Sequence, residues 1–222
     1  MDDYRRPKEY RESAVSGSRG PERPSVKIID REVEFEGFFR LERYRLRHRL
    51  FDGSMSPVIE RELFERGHAA ALLPYDPVRD TVVLLEQFRI GALYMPGGPW
   101  LVEAVAGIIE PGESAEDVVR RESQEEAGCT VTDLEPICRY LVSPGGTSET
   151  LTLFCGRVDS RNLGGIHGLE SENEDIRVSV VPFEQVLALL EEGVINSAGP
   201  IIALQWLRLN RQRLQRLWCA AP

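Results

Sequence analysis

Five ionisable side chains between positions 113 and 126 carry the strongest chemical signal in the chain: Glu113, Arg121, Glu122, Glu125 and Glu126. Carboxylate oxygens set this closely suit a hard divalent cation such as Mg²⁺ or Mn²⁺. Ser114, with Asp117 three residues later, makes a capping-box-like start, and Gly128 makes a C-terminal stop, so the spacing predicts a helix between them. At 100° per residue Ala115, Val118, Val119, Glu122 and Glu126 share one face, with Glu125 about 60° to the side. The stripe that begins as alanine and valine therefore continues as carboxylates. Glu122 and Glu126 form a like-charged i,i+4 pair, which costs a few tenths of a kcal/mol in water and far more if buried. Something positive must face them, and Arg121 alone is too little for three carboxylates. A solvated acidic face is the plain alternative; it is weakened because the acids lie on the inward stripe.

The elements that must position this helix are short and mixed. Residues 1–24 are polar and proline-containing, which predicts a loose tail. Residues 25–66 form an arginine-rich antiparallel unit: an alternating strand over 38–51, the turn signal Asp52-Gly53, and a second strand over 58–64. Such a unit buries little by itself and calls for a partner surface. Residues 67–222 hold apolar strands over 69–74, 81–88, 100–109, 138–143, 150–158 and 176–181. A helix over 181–193 closes at Gly193, and a last helix runs over 200–218, with Ile201, Leu204, Leu207, Leu214 and Trp218 on one side. The expected class is α+β, a mixed β-sheet between helices with an N-terminal antiparallel strand unit.

The totals exclude several functions. The 222 residues carry 27 Lys+Arg and 36 Asp+Glu, a net charge of −9, which argues against generic nucleic-acid binding. No window reaches the roughly 18 apolar residues of a membrane span, and the first residues lack the apolar core of a signal peptide, so a cytoplasmic location is expected. Cys129, Cys138, Cys155 and Cys219 lie far apart, as do His48, His68 and His167, which disfavours both a zinc site and a disulfide framework.

The spacing G-x5-E-x7-R-E-x-x-E-E-x-G is realised by Gly107, Glu113, Arg121, Glu122, Glu125, Glu126 and Gly128. By it the chain resembles the Nudix hydrolases, which cleave nucleoside diphosphates linked to another moiety. Ser123 and Cys129 fill two slots of this motif that are usually apolar. Pro144, 15 residues after Cys129 in the loop SPGGTSE, together with RELFERGHAA (61–70), EQFR ending at Arg89, and IHGLESENEDIR (166–177), resembles the bacterial ADP-ribose pyrophosphatase branch over roughly residues 30–218.

That resemblance implies roles. Glu122, Glu125, Glu126 and Glu174, with the backbone carbonyl of Ala106, would hold two or three Mg²⁺ (or Mn²⁺) ions, and Glu113 and Arg121 would brace the loop and helix. Glu172 would be the general base, with Glu149 the competing choice. Arg89, Ile108, Ser143, Pro144, Gly145 and Glu149 would contact the substrate. Phe38, Arg61 and Glu62 would meet the adenosine end, across a homodimer in which the N-terminal strands are exchanged. The implied reaction is hydrolysis of ADP-ribose to AMP and ribose 5-phosphate. The alternatives are another nucleoside diphosphate sugar, such as UDP-glucose or GDP-mannose, and a non-catalytic nucleotide sensor.

Overall fold

A computed structural model describes residues 25–219; the tail expected over 1–24 lies outside the described residues. Two separate sheets form. The first is antiparallel and three-stranded, in the order β1 (Val26–Glu36), β2 (Arg40–His48), β3 (Ile59–Glu65). The sequence predicts two strands here, the first beginning at residue 38, whereas β1 precedes it. The chain instead reverses at Gly37, whose N–H donates to the Phe39 carbonyl at 3.0 Å, so the strand expected from 38 begins at Arg40. Asp52-Gly53 does make a turn, with Gly53 at φ +88°, but inside a longer loop between β2 and β3. The arginines of β2 are paired across the sheet: Arg43 with Glu32 and Glu34, Arg45 with Glu60. Glu42, fully buried, is held by Arg31, Arg40 and Tyr44.

The second sheet contains β4 (Ala69–Asp76), β5 (Thr81–Phe88), β6 (Trp100–Glu103), β7 (Val105–Ile108), β8 (Asp133–Leu141), β9 (Thr150–Arg157), β10 (Gly165–His167) and β11 (Ile176–Pro182). Its main path runs β10-β11-β5-β4-β9-β8, with β4 and β9 parallel. Pro136 sits beside a register shift in the edge strand β8, where its missing N–H does no harm. β4 and β5 pair only at Tyr75↔Val82 and Asp76↔Thr81, next to their turn, and then diverge. The segment 100–109, expected as one strand, fills the fork as two: β6 continues on β5, and after the buried Ala104 the chain steps across to β4 as β7.

Three helices cover this sheet: α1 (Ala115–Ala127) on one face, α2 (Phe183–Glu191) and α3 (Ala198–Cys219) on the other. Because successive strand residues point to opposite faces, Ala70 and Leu72 with Val83 and Leu85 join Val118, Val119 and Ala127 of α1. Leu73 and Tyr75 with Val82 and Leu84 meet Phe183, Val186, Leu204, Leu207, Leu214 and Trp218. The helix pattern on Leu204, Leu207, Leu214 and Trp218 is thus core packing. Among the described residues no helix is long and apolar enough to cross a membrane.

Candidate active site

The site is built where α1 meets the fork of the large sheet. Ser114 and Asp117 form the reciprocal cap at the start of α1, and Gly128 ends it in the left-handed conformation at φ +60°. Val118 and Val119 anchor the first turns in the core, and the same stripe delivers Glu122 and Glu126 against β7. Gly107 of β7 is the seat for Glu122. A Cβ there would lie 1.9 Å from Glu122 Oε1 and 2.4 Å from its Cδ, so any side chain would expel the carboxylate. Glu126 is 2% exposed and accepts the Ala106 N–H at 3.0 Å. Ser123 takes its unusual place by donating to the Val119 carbonyl at 2.5 Å, and Cys129 is buried beside it, so the two atypical positions of the motif fill the core without disturbing the carboxylates.

Arg121 organises the rest. Its guanidinium reaches Glu113 at 3.1 Å, Glu122 at 2.8 Å and Glu125 at 3.0 Å, while Glu113 also accepts the Glu110 N–H at 3.2 Å. The turn between β7 and α1 is therefore tied to the helix. One guanidinium shared among three carboxylates does not balance the site. Burial raises the Glu122 carboxyl above its ordinary range, against the pull of Arg121. Burial pushes Glu126 up to about 8; the Ala106 N–H and Arg89 act against this, while Glu122 and Glu174 add to it.

A largely part-buried carboxylate cluster short of positive charge, beside β7, fits a divalent cation with oxygen ligands. In the conformation described, each carboxylate is turned onto a protein donor, and among the described residues no three acidic, histidine or cysteine side chains converge as a ready cage. Ala106, Glu122, Glu125 and Glu126 could supply the oxygens, and Glu174 is near enough to act electrostatically on both Glu122 and Glu126.

Arg89, at the exit of β5, donates through Nε to Glu103 Oε2 at 2.7 Å. Glu103 was not among the residues singled out by sequence. It follows the alternation of an ordinary strand, and only the step from β6 to β7 places it beside Arg89. Glu172 and Glu174 lie on the loop after β10. Glu174 is part-buried and its Oε2 accepts the Leu169 N–H at 3.2 Å, whereas Glu172 is exposed in a single 3-10 turn. His167 bonds the Gly164 carbonyl at 3.1 Å, and His68 Nδ1 faces the Thr150 N–H at 3.2 Å, so both serve loops.

The loop SPGGTSE crosses toward the N-terminal sheet. The Ser143 carbonyl accepts the N–H groups of Gly146 and Thr147 at 3.0 Å, folding Pro144 and Gly145 into a tight turn, and the Gly146 carbonyl takes the Phe64 N–H at 2.8 Å. Ser148 donates to Glu65 at 2.6 Å. Glu149 is 7% exposed and meets Arg66 at 3.5 Å. The Arg66 guanidinium in turn lies 5.1 Å from the centre of the Phe39 ring, and Phe39 packs edge-on against Phe38 and Phe64. Arg66 and Phe39 were not anticipated either, since one looks like a surface cation and the other like core. Ile108 ends β7 half-exposed above Gly67. Phe38 is 86% exposed, and Arg61 and Glu62 are exposed on β3. Among the described residues no hydrogen bond or ion pair links these three to α1, so within one chain they stand apart from the carboxylates.

The described NUDIX domain model matches residues 65–204 of the chain. Over 193 residues the chain is 57% identical to an ADP-ribose pyrophosphatase of Escherichia coli K12, covering 87% of this chain and 92% of that protein. An ADP-ribose pyrophosphatase of Haemophilus influenzae is 47% identical over 196 residues, covering 87% and 90%. A GDP-mannose pyrophosphatase of Cronobacter sakazakii is 33% identical over 188 residues, covering 84% and 96%. A solved structure described as an ADP compounds hydrolase superposes with a TM-score of 0.64 at 23% identity, over 90% of this chain and 98% of that one; it speaks to the fold alone.

Proposed function

The chain belongs to the NUDIX domain family, and from that premise we propose that it hydrolyses the diphosphate bond of ADP-ribose to AMP and ribose 5-phosphate in a Mg²⁺-dependent reaction. The single observation that carries the chemistry is the under-neutralised carboxylate pair of part-buried Glu122, seated on Gly107, and buried Glu126. The substrate reading is supported by the 57% and 47% identical relatives, both named for ADP-ribose, against a 33% identical relative named for GDP-mannose.

Two or three Mg²⁺ ions held by Ala106, Glu122, Glu125, Glu126 and Glu174 would neutralise the diphosphate and acidify water. The rest of the chemistry falls to the protein. Arg89, with Nε committed to Glu103, turns its two outer nitrogens toward a diphosphate oxygen. Glu172, exposed and without an ion pair among the described residues, takes a proton from the attacking water. Ser143, Pro144, Gly145 and Glu149 line the terminal ribose, and Ile108 flanks the substrate. Phe38, Arg61 and Glu62 receive the adenosine from the partner's side of a homodimer. The reading of residues 25–66 as an exchanged unit is supported by β1, whose Val26, Ile28, Val33 and Phe35 are all more than half exposed. A cytoplasmic enzyme accords with four free cysteines. The direct test of the reaction is product analysis: AMP and ribose 5-phosphate in equal amounts, with no free phosphate until a phosphatase is added.

A further inference from the structure

Resting on the reading of Glu172 as general base, we propose that His167 is a positioning residue for the reaction: its ring, seated on Gly128 at the end of α1, sets the loop 168–174 against the metal-binding helix. Gly128 adopts φ +60°, which suits the end of any helix. That conformation does not explain its surroundings. A Cβ on Gly128 would lie 2.7 Å from His167 Cε1 and 3.3 Å from Nδ1, so the imidazole occupies the space a side chain would need. The ring's Nε2 is within 3.1 Å of the Gly164 carbonyl, which fixes its orientation. Gly128 is two residues from Glu126, so the contact lies at the foot of the carboxylate pair.

The loop beyond His167 is a self-bonded unit. Gly168, at φ +103°, is crowded by Glu174, whose Cβ would sit 2.7 Å from a Cβ placed there. The Leu169 carbonyl accepts the N–H of Glu172 at 3.0 Å and of Glu174 at 3.2 Å, and the Leu169 N–H returns to Glu174 Oε2 at 3.2 Å. Asn173 takes a left-handed conformation between the two glutamates. A unit closed on itself in this way holds Glu172 and Glu174 in fixed relation to each other. Its placement relative to Glu122 and Glu126 is then set at its base, where His167 pairs with Ile176 of β11 and rests on Gly128.

The test has two arms. The first is amide exchange on metal-free protein, which needs no substrate. His167→Ala should speed exchange at Leu169, Glu172 and Glu174 about tenfold or more while α1 and β11 stay protected. The second uses whichever nucleoside diphosphate sugar the wild type turns over. There His167→Ala should lower kcat about tenfold or more, since misplacement by about 1 Å can cost that much or more, and leave KM within about threefold. His167→Phe, which keeps the ring and loses Nε2, should recover most of kcat. Gly128→Ala should cost a larger factor in wild type than in His167→Ala, because the clash exists only while the ring is there. Unchanged loop exchange with kcat within twofold would overturn the proposal, as would an equal Gly128→Ala factor in both backgrounds. Should His167→Ala fail to fold, the same cycle run with His167→Ser in its place carries the decision. Failure of the wild type on ADP-ribose bears on the substrate alone, since the exchange arm is independent of it.

Discussion

Glu126 and Ala106 join α1 to β7 through a part-buried hydrogen bond, the Ala106 N–H donating to the Glu126 carboxylate at 3.0 Å. The bond does not offset the burial of the charge. With Glu122 and Glu174 nearby, the Glu126 carboxyl is raised to about 8 from an ordinary 4.5, which favours its protonated form at neutral pH.

The first prediction follows from that proton. Below about pH 4.5 folded and unfolded chains both carry it; between 4.5 and 8 only the folded chain does. Stability in EDTA should therefore fall as pH rises through this window. Glu126→Gln, which cannot ionise, should be the more stable protein near pH 8.5 by on the order of a few kcal/mol, with the gap closing toward pH 5. Urea unfolding at the two pH values measures it, and a gap independent of pH contradicts it. By the same titration, turnover at limiting Mg²⁺ should rise toward pH 8, and Glu126→Gln should lose most of it.

Much of this helix was legible in the letters, because its seven motif residues lie within one local segment whose period and caps are set by its own sequence. The two-faced core was legible for the same reason. What stayed hidden depended on chain reversals and long-range placement. Gly37 does not look like a hairpin turn between Phe35 and Phe38, so β1 was not recognised as a strand ahead of β2. The step at Ala104 is invisible in an apolar run, so Glu103 could not be matched to Arg89. Arg66 meets Glu149 across 83 positions, and nothing local marks either as half of a pair.

Glu172 and Glu149 differ in environment. Glu149 is buried against Arg66, whereas Glu172 is exposed on a turn and, among the described residues, bonded only through its backbone. Glu172→Gln should lower kcat by about 10²- to 10⁴-fold with little change in Tm. Glu149→Gln should act chiefly on KM, through the freed Arg66. An inactive Glu149→Gln beside a normal Glu172→Gln would reverse the assignment.

Gly107 is a sharper probe of the proposed metal site than any carboxylate. Gly107→Ala forces Glu122 away, since the new Cβ would overlap its carboxyl group, and should weaken Mg²⁺ binding about 10- to 100-fold by calorimetry. Gly91→Ala, where a Cβ would meet nothing within 4 Å, is the control and should leave Mg²⁺ binding alone. Equal effects at the two positions would remove the seat from the account.

The exposed face of β1 should be covered in solution by a second copy. Light scattering is expected to report twice the chain mass of 25.1 kDa, and Phe35→Asp, at a position 64% exposed in one chain, should shift the mass toward the monomer. A wild-type monomer at micromolar concentration would leave Phe38, Arg61 and Glu62 without a site to serve.

The central claim is a Mg²⁺-dependent diphosphatase that prefers ADP-ribose. Its most direct test is kcat/KM on ADP-ribose, UDP-glucose, GDP-mannose and diadenosine polyphosphates, with Mg²⁺ and again with EDTA, using coupled phosphatase to read the monoester products. The account predicts that ADP-ribose leads by tenfold or more and that EDTA abolishes every signal. A lead for another sugar nucleotide would contradict the substrate assignment and the reading of the loop around Pro144. Turnover that persists in EDTA would contradict the carboxylate helix as the catalytic centre.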